Sequence, residues 1–261
     1  MQIPAFVINL DSRPDRWAAM AEQFKRLGIE AVRVPAVDKD ALTGDPALAR
    51  MGAGHVACTR SHYKAMQALV DSGAPAALIL EDDVEVGEEV PALISSLAWW
   101  PGGHGLVKLE STIAPDTRIW LGRAVGTTPS GRALRPIMHN HLGSYGYLID
   151  YDAALDVLAI APATPIPIDH LLFNLGNSHL AHKLSPLQMT PGVVRHLPFE
   201  RFGSDTGASR INGQKLWKPG YMTRLGLRKT WIMSTVRGQS KRAGVDYLAG
   251  PVSNQAVAGA G

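Results

Sequence analysis

Cysteine is almost absent from this 261-residue chain. Cys58 stands alone, which excludes an internal disulfide and fits a reducing compartment. No apolar run approaches the roughly 20 residues needed to cross a bilayer. Met1–Leu10 is too short for a secretory leader core and lacks its basic flank. A soluble, cytoplasmic protein is therefore expected. The Walker and GxGxxG glycine patterns are also missing, so a bound nucleotide has to be held by other means. No internal repeat is present. Acidic residues are missing between Thr206 and Arg242, a stretch that carries nine Lys or Arg and leaves the remainder net acidic. Such asymmetry points to an acidic partner or to a solvated basic extension. No recognised nucleic-acid motif accompanies it, so nucleic acid is not expected as the partner.

What is present is ordinary globular material, 46% hydrophobic and 19% charged, enough for one large domain or two small ones. Ala5 to Leu10 reads as a buried strand, with Asp11 or Ser12 as a helix cap and Pro14 in the first turn. Trp17, Met20, Ala21, Phe24 and Leu27 recur at helical spacing, and Gly28 ends the run. Ala31–Val34 is the next strand, completing a βαβ unit and predicting a parallel sheet. A short helix is expected near Ala47–Met51 and a longer one over Gly54–Val70. Ala76–Leu80 has no polar face, as a central strand covered on both sides requires. Further helices are expected over Glu88–Leu97, Asp152–Ile160 and Asp169–Leu175. Strands are expected at Gly105–Leu109, Ser144–Ile149, Leu180–Leu184 and Val193–His196. Residues 112–141 read as loops and a hairpin.

The Ala76–Leu80 strand runs straight into Glu81-Asp82-Asp83. Ligands of open α/β sheets bind outside the carboxyl ends of the strands. Three adjacent carboxylates there repel one another unless a cation or basic group compensates. A hard divalent ion, Mg²⁺ or Mn²⁺, takes such oxygens together with substrate phosphates. In extended backbone Glu81 and Asp83 point one way and Asp82 the other, so one or two of the three are expected on the metal. After the first strand, the start of the helix with Arg13 and Arg16 suits a phosphate. Arg13 and Asp15 equally suit a mutual surface pair. Over Gly54–His62, Cys58 is expected to pack, with Ser61 and His62 facing a ligand or bonding the core. Tyr145 and Tyr147 suit either sugar stacking or the core.

In order, these segments resemble glycosyltransferase family 25, the lipooligosaccharide galactosyltransferase type. The resemblance runs through Phe6-Val-Ile-Asn-Leu-Asp-Ser-Arg-Pro-Asp-Arg16, Gly54-His-Val-Ala-Cys58 with Ser61-His62, and Leu78-Ile-Leu-Glu-Asp-Asp-Val84. It continues through Gly143-Ser-Tyr-Gly-Tyr147 and Pro167-Ile-Asp169. It implies a GT-A-like, Rossmann-type α/β fold with a mostly parallel central sheet flanked by helices. The catalytic domain would cover residues 1–200, followed by a basic extension over 201–261. It further implies Mn²⁺ or Mg²⁺ held chiefly by Asp83, assisted by Asp82 or Glu81, with His196 as a further ligand. Asn9, Arg13 and Arg16 would surround the nucleotide of a UDP-sugar. An inverting reaction needs one base for the acceptor hydroxyl: Asp169 is the first candidate and Glu110 the second. The acceptor would be a lipid-linked oligosaccharide. Trp217, Tyr221 and Trp231 among the basic residues suit contact with an anionic inner-membrane surface. The competing readings are a metal-dependent phosphohydrolase and a non-catalytic nucleotide-sugar or glycan binder.

Overall fold

A computed structural model of the protein describes residues 2–112, 117–161, 165–197, 240–243 and 246. The chain opens with β1 (Ala5–Asn9), α1 (Pro14–Leu27) and β2 (Ala31–Pro35). Two 3-10 turns, Lys39–Ala41 and Pro46–Ala49, lead to α2 (Ala53–Ser72), β3 (Ala76–Glu81), β4 (Val84–Val86), α3 (Val90–Ser95) and β5 (Leu106–Lys108). There follow β6 (Ile119–Gly122), β7 (Gly126–Thr127), β8 (Ala133–Pro136), β9 (Gly146–Asp150), α4 (Tyr151–Ile160), α5 (Ile168–Phe173) and α6 (His179–Leu184). The last strands are β10 (Leu187–Thr190), β11 (Val194–His196) and β12 (Ser240–Ala243).

The central sheet has eight strands in the order β2-β1-β3-β9-β5-β10-β8-β7. β2, β1 and β3 are parallel, β10 is parallel to β5, and only β9 and β8 run against the common direction. The expected α/β architecture, a mostly parallel sheet flanked by helices, is what the chain adopts. The apolar β3 explains the layering. Ala77 and Ile79 join a core with Tyr63, Met66 and Leu69 of α2 and Val157 of α4. Ala76, Leu78 and Leu80 face the other way, onto Met20 and Phe24 of α1 and Leu93 and Ile94 of α3. A strand buried on both faces has no use for polar alternation, and Leu78, Ile79 and Leu80 each contribute roughly 1.5–3 kcal/mol.

Local signals mostly hold. Pro14 starts α1, and Gly28 closes it at φ 65°. The cap is neither Asp11 nor Ser12 but Arg13, whose side chain makes no capping bond. Leu180–Leu184, expected as a strand, lies within helix α6. The Ser178 side chain accepts from Ala181 N–H at 3.0 Å and so nucleates a turn where the short apolar run alone favoured a strand. The strand comes just after, as β10. Gly146 permits a close approach: a Cβ there would stand 2.7 Å from Val194 Cγ1 of β11.

Most of the 201–261 extension, with Trp217, Tyr221 and Trp231, lies outside the described residues. Its β12 pairs antiparallel with β6, and Gly192 N–H donates to Asp246 O at 2.6 Å, so that part returns to the main domain. Among the described residues, no helix is long and apolar enough to cross a membrane.

Candidate active site

A cavity of about 400 Å³ opens where β1 and β3 end. Its wall includes Ile8 of β1 with Leu10 just after it, Ser12 from the turn before α1, Arg16 from the first turn of α1, and Cys58, Ser61 and His62 from α2. Glu81, Asp82, Asp83 and His196 complete the acidic side. The volume suits a small-molecule site. The acidic triplet and His196, separated by more than a hundred residues, therefore meet on one surface. The short β4–β11 ribbon brings them together. His196 pairs with Val84, and Leu197 N–H donates to Asp83 O at 2.8 Å.

The three carboxylates have different tasks. Asp82 is buried and fully engaged: Oδ2 accepts from Asn9 Nδ2 at 2.7 Å, and Oδ1 from Arg16 Nη1 at 2.9 Å. Burial raises its pKa despite these partners. Asp82, expected as a metal ligand, here spends both oxygens bracing β3 to β1 and α1. The chain bends at Asp82 and Asp83, so the simple alternation expected of extended backbone does not apply.

Asp83 Oδ2 lies 3.1 Å from Arg16 Nη1 and 3.6 Å from His196 Nε2. Burial pushes Asp83 up, but His196 and then Arg16 outweigh it and hold the carboxyl below its usual range. Burial likewise opposes the charge on His196, and the Asp83 carboxylate reverses that and raises its pKa. Asp83 Oδ1 is buried with no hydrogen-bond partner among the described residues. An anionic oxygen in that state is costly, and a hard cation supplies what it lacks. A carboxylate with a neighbouring imidazole fits Mn²⁺ better than Mg²⁺, and Arg16, 3.1 Å from Asp83 Oδ2, already compensates part of the carboxylate charge. Glu81 Oε1 is turned elsewhere, 3.4 Å from His62 Nε2 and 3.2 Å from Ser144 Oγ.

The family profile described as "Glycosyltransferase family 25 (LPS biosynthesis protein)" matches residues 2–172. The chain belongs to glycosyltransferase family 25. It is 25% identical to the lacto-N-neotetraose biosynthesis glycosyltransferase LgtB of Neisseria gonorrhoeae, over 81% of this chain and 84% of that one. With LgtB of Neisseria meningitidis serogroup A it shares 26% identity, covering 77% of each. A glycosyltransferase 25 family member of Drosophila melanogaster is 34% identical over 64% of this chain, but only 29% of the insect protein is covered. Similarity to solved structures is loose. A mannose-1-phosphate geranyltransferase from Thermus thermophilus gives a TM-score of 0.41 at 15% identity, over 72% of this chain and 74% of that one. A glycosyltransferase involved in glycosylation of the PBCV-1 major capsid gives 0.39 at 11% identity, over 75% and 92%.

The remaining expected site residues of this family 25 glycosyltransferase are sorted by their partners. Asn9 is 1% exposed. It donates to Asp82 and to Arg13 O, and its Oδ1 accepts from Arg33 Nε at 2.6 Å, so its polar atoms serve the scaffold rather than a nucleotide. Arg13 clasps Asp15 with two bonds, at 3.0 and 2.8 Å, the surface pair that the sequence had left open. Arg16 reaches the cavity, but its guanidinium braces Asp82 and Asp83. Ser61 also lines the cavity. Its hydroxyl accepts from Val37 N–H at 2.8 Å and donates to Ala57 O at 2.7 Å, pinning the loop after β2. His62 stacks against Tyr147, and its Nδ1 lies 2.9 Å from the Tyr147 hydroxyl. Tyr145 and Tyr147 are both core residues, 3% and 0% exposed, and neither offers a sugar platform.

Glu110, the second candidate base, is not among the residues that line the cavity. It is wholly buried, with Oε1 3.0 Å from Lys108 Nζ, and burial pushes its pKa up to about 7. Lys108, equally buried, also donates to His141 O at 2.7 Å and to Gly143 O, and sits 4.1 Å from the Phe173 ring centroid. The pair organises the loop before β9 and has no outlet to a substrate. Asp169 is half-buried in the first turn of α5, where Oδ2 accepts from Gly143 N–H at 3.2 Å and Oδ1 from His170 N–H at 2.8 Å. It is close enough to Cys58 to help raise the thiol pKa, although burial is the larger cause. Asp38, Lys39 and Asp40 on the cavity wall had not been singled out. They follow β2, and the strand-end rule applied to β2 as well as to β1 and β3 would have found them.

Proposed function

We propose that this family 25 glycosyltransferase transfers a hexose, galactose from UDP-galactose, to a lipopolysaccharide or lipooligosaccharide acceptor with inversion, using Mn²⁺ or Mg²⁺. One observation carries the reading: Asp83, whose buried Oδ1 has no hydrogen-bond partner among the described residues, sets its Oδ2 3.6 Å from His196 Nε2 on the wall of a cavity at the ends of parallel strands. Asp83 and His196 would hold the ion, which when bound neutralises charge on the departing diphosphate. Arg16 and Asn9 keep the site in shape by fixing Asp82. Ser12 and Lys39 lie on the same wall, where polar side chains suit a nucleotide.

Asp169 is the base for the acceptor hydroxyl in this reading. Two backbone N–H groups bond its carboxylate and fix its orientation at the start of α5. The basic stretch 206–242 would draw the cytoplasmic enzyme to the anionic inner leaflet, where a lipid-linked acceptor is made accessible. The test is transfer of labelled sugar from a panel of nucleotide sugars to oligosaccharide acceptors, with and without Mn²⁺. Metal-dependent galactoside formation that is lost in Asp169→Asn, with donor binding retained, is the expected result. Phosphate release with no glycoside formed would point to the phosphohydrolase and against this reading.

A further inference from the structure

A second group of metal-binding side chains lies on the α2 side of the cavity, apart from the Asp83–His196 pair. Cys58 and His62 sit one helical turn apart on α2 and face the end of β3. The Cys58 sulfur, a His62 ring nitrogen and a Glu81 carboxylate oxygen all lie within 4.8 Å of one another. We propose that Cys58, His62 and Glu81 form a binding site for a soft divalent cation, Zn²⁺, separate from the Asp83–His196 pair and independent of which sugar the enzyme transfers.

The geometry is that of a tetrahedral site before the ion draws it in. Nitrogen and oxygen ligands about 2.0–2.1 Å from zinc stand about 3.3 Å apart at the tetrahedral angle. His62 Nε2 and Glu81 Oε1 are 3.4 Å apart. That is long for a hydrogen bond between them and right for two ligands of one ion. Sulfur needs slightly more room, about 3.5 Å from either partner. A small swing of the Cys58 side chain within the 4.8 Å grouping supplies it. The fourth position falls to Ser144 Oγ, 3.2 Å from Glu81 Oε1 and 3.4 Å from His62 Nε2, or to water from the cavity.

The surroundings match as well. Histidine ligands commonly donate their second ring N–H to a fixed partner, which orients the ring. His62 Nδ1 has that partner in the Tyr147 hydroxyl at 2.9 Å, deep in the core. The thiolate sets this group apart from the Asp83–His196 pair, because sulfur selects zinc over Mn²⁺ or Mg²⁺. Burial holds the Cys58 thiol protonated, which argues against a reactive nucleophile there. On zinc binding the thiol proton leaves to solvent, and the cation compensates the thiolate.

Cobalt is the probe that separates the two sites, because only a thiolate ligand gives an intense near-ultraviolet sulfur-to-cobalt band. The purified full chain, stripped of metal, is titrated with Co²⁺ and then with Zn²⁺. The expected result is one equivalent of Co²⁺ with that band, displaced by Zn²⁺. The band is retained in Asp83→Asn and absent in Cys58→Ser. His62→Gln should weaken Zn²⁺ more than about 100-fold, and Tyr147→Phe, acting only through the ring, about 10-fold. Circular dichroism establishes that each variant is folded. Absence of the band in the wild-type chain overturns the proposal. So does zinc affinity that survives Cys58→Ser, or that falls equally in Asp83→Asn.

Discussion

Replacing Asp82 with alanine separates a scaffold carboxylate from a ligand carboxylate within two adjacent residues. Asp82 accepts from Asn9 at 2.7 Å and from Arg16 at 2.9 Å, both bonds buried. Hydrogen bonds involving a charged group contribute about 1.5–3 kcal/mol each, so the ceiling for losing both is about 6 kcal/mol. Part survives, because Arg16 keeps Asp83 at 3.1 Å and the Asn9 amide keeps Arg13 O at 2.9 Å. The lower end, about 3 kcal/mol, is therefore expected. For a domain of this size that lowers the thermal midpoint by about 6–12 °C. Differential scanning calorimetry of the metal-free protein reads it directly. Asp83→Asn leaves the Asn9–Asp82–Arg16 brace in place and should shift the midpoint much less. A midpoint for Asp82→Ala within a degree of wild type, or a larger loss in Asp83→Asn, would refute the division of labour argued for the triplet.

Three further outcomes follow from the packing and charges. Arg132 is fully buried, with two bonds of 2.9 Å to Glu89 and bonds to the carbonyls of Pro191 and Gly192, so Arg132→Ala strands a carboxylate and should cost about 3–5 kcal/mol in urea unfolding. Gly146→Ala drives a methyl to 2.7 Å from Val194 Cγ1 and should cost about 1–3 kcal/mol, with Val194→Ala in the same chain recovering part of it. The hydrogen bonds from Arg60, and then from Ala47 N–H, hold Asp45 below the usual carboxylate range. Its folded pKa lies below its unfolded one, so this stabilisation is complete above the unfolded value of about 3.9 and is lost as pH falls through the folded value. Asp45→Asn should therefore flatten the acid limb of the stability profile, and an unchanged limb would contradict the pairing.

The sequence made short-range features readable. The β1–α1–β2 unit, the Gly28 stop and the unbroken apolar run of β3 each follow from neighbours a few residues apart. The likeness to family 25 likewise rested on short motifs whose order survives in the chain. Features decided by distant partners were not readable. Asp82 looks no different from Asp83 until Asn9 and Arg16, 73 and 66 residues away, take its oxygens. Glu110 at the end of a strand looks like a base until Lys108 and the loop before β9 close over it. Leu180–Leu184 carries an apolar pattern too short to choose between strand and helix, and the Ser178 cap decides it. The strands β4 and β11, three residues each, exist because they pair with one another, and that pairing sets His196 beside Asp83.

The central claim is that Asp83 and His196 grip a divalent ion that in turn holds the donor diphosphate. Calorimetric titration of UDP-galactose into the full chain, with Mn²⁺ and with chelator, tests it most directly. Binding should require Mn²⁺ in the wild type and fall by more than about tenfold, some 1.4 kcal/mol, in both Asp83→Asn and His196→Ala. Equal donor affinity with and without the metal, or undiminished metal-dependent binding in Asp83→Asn, would contradict it.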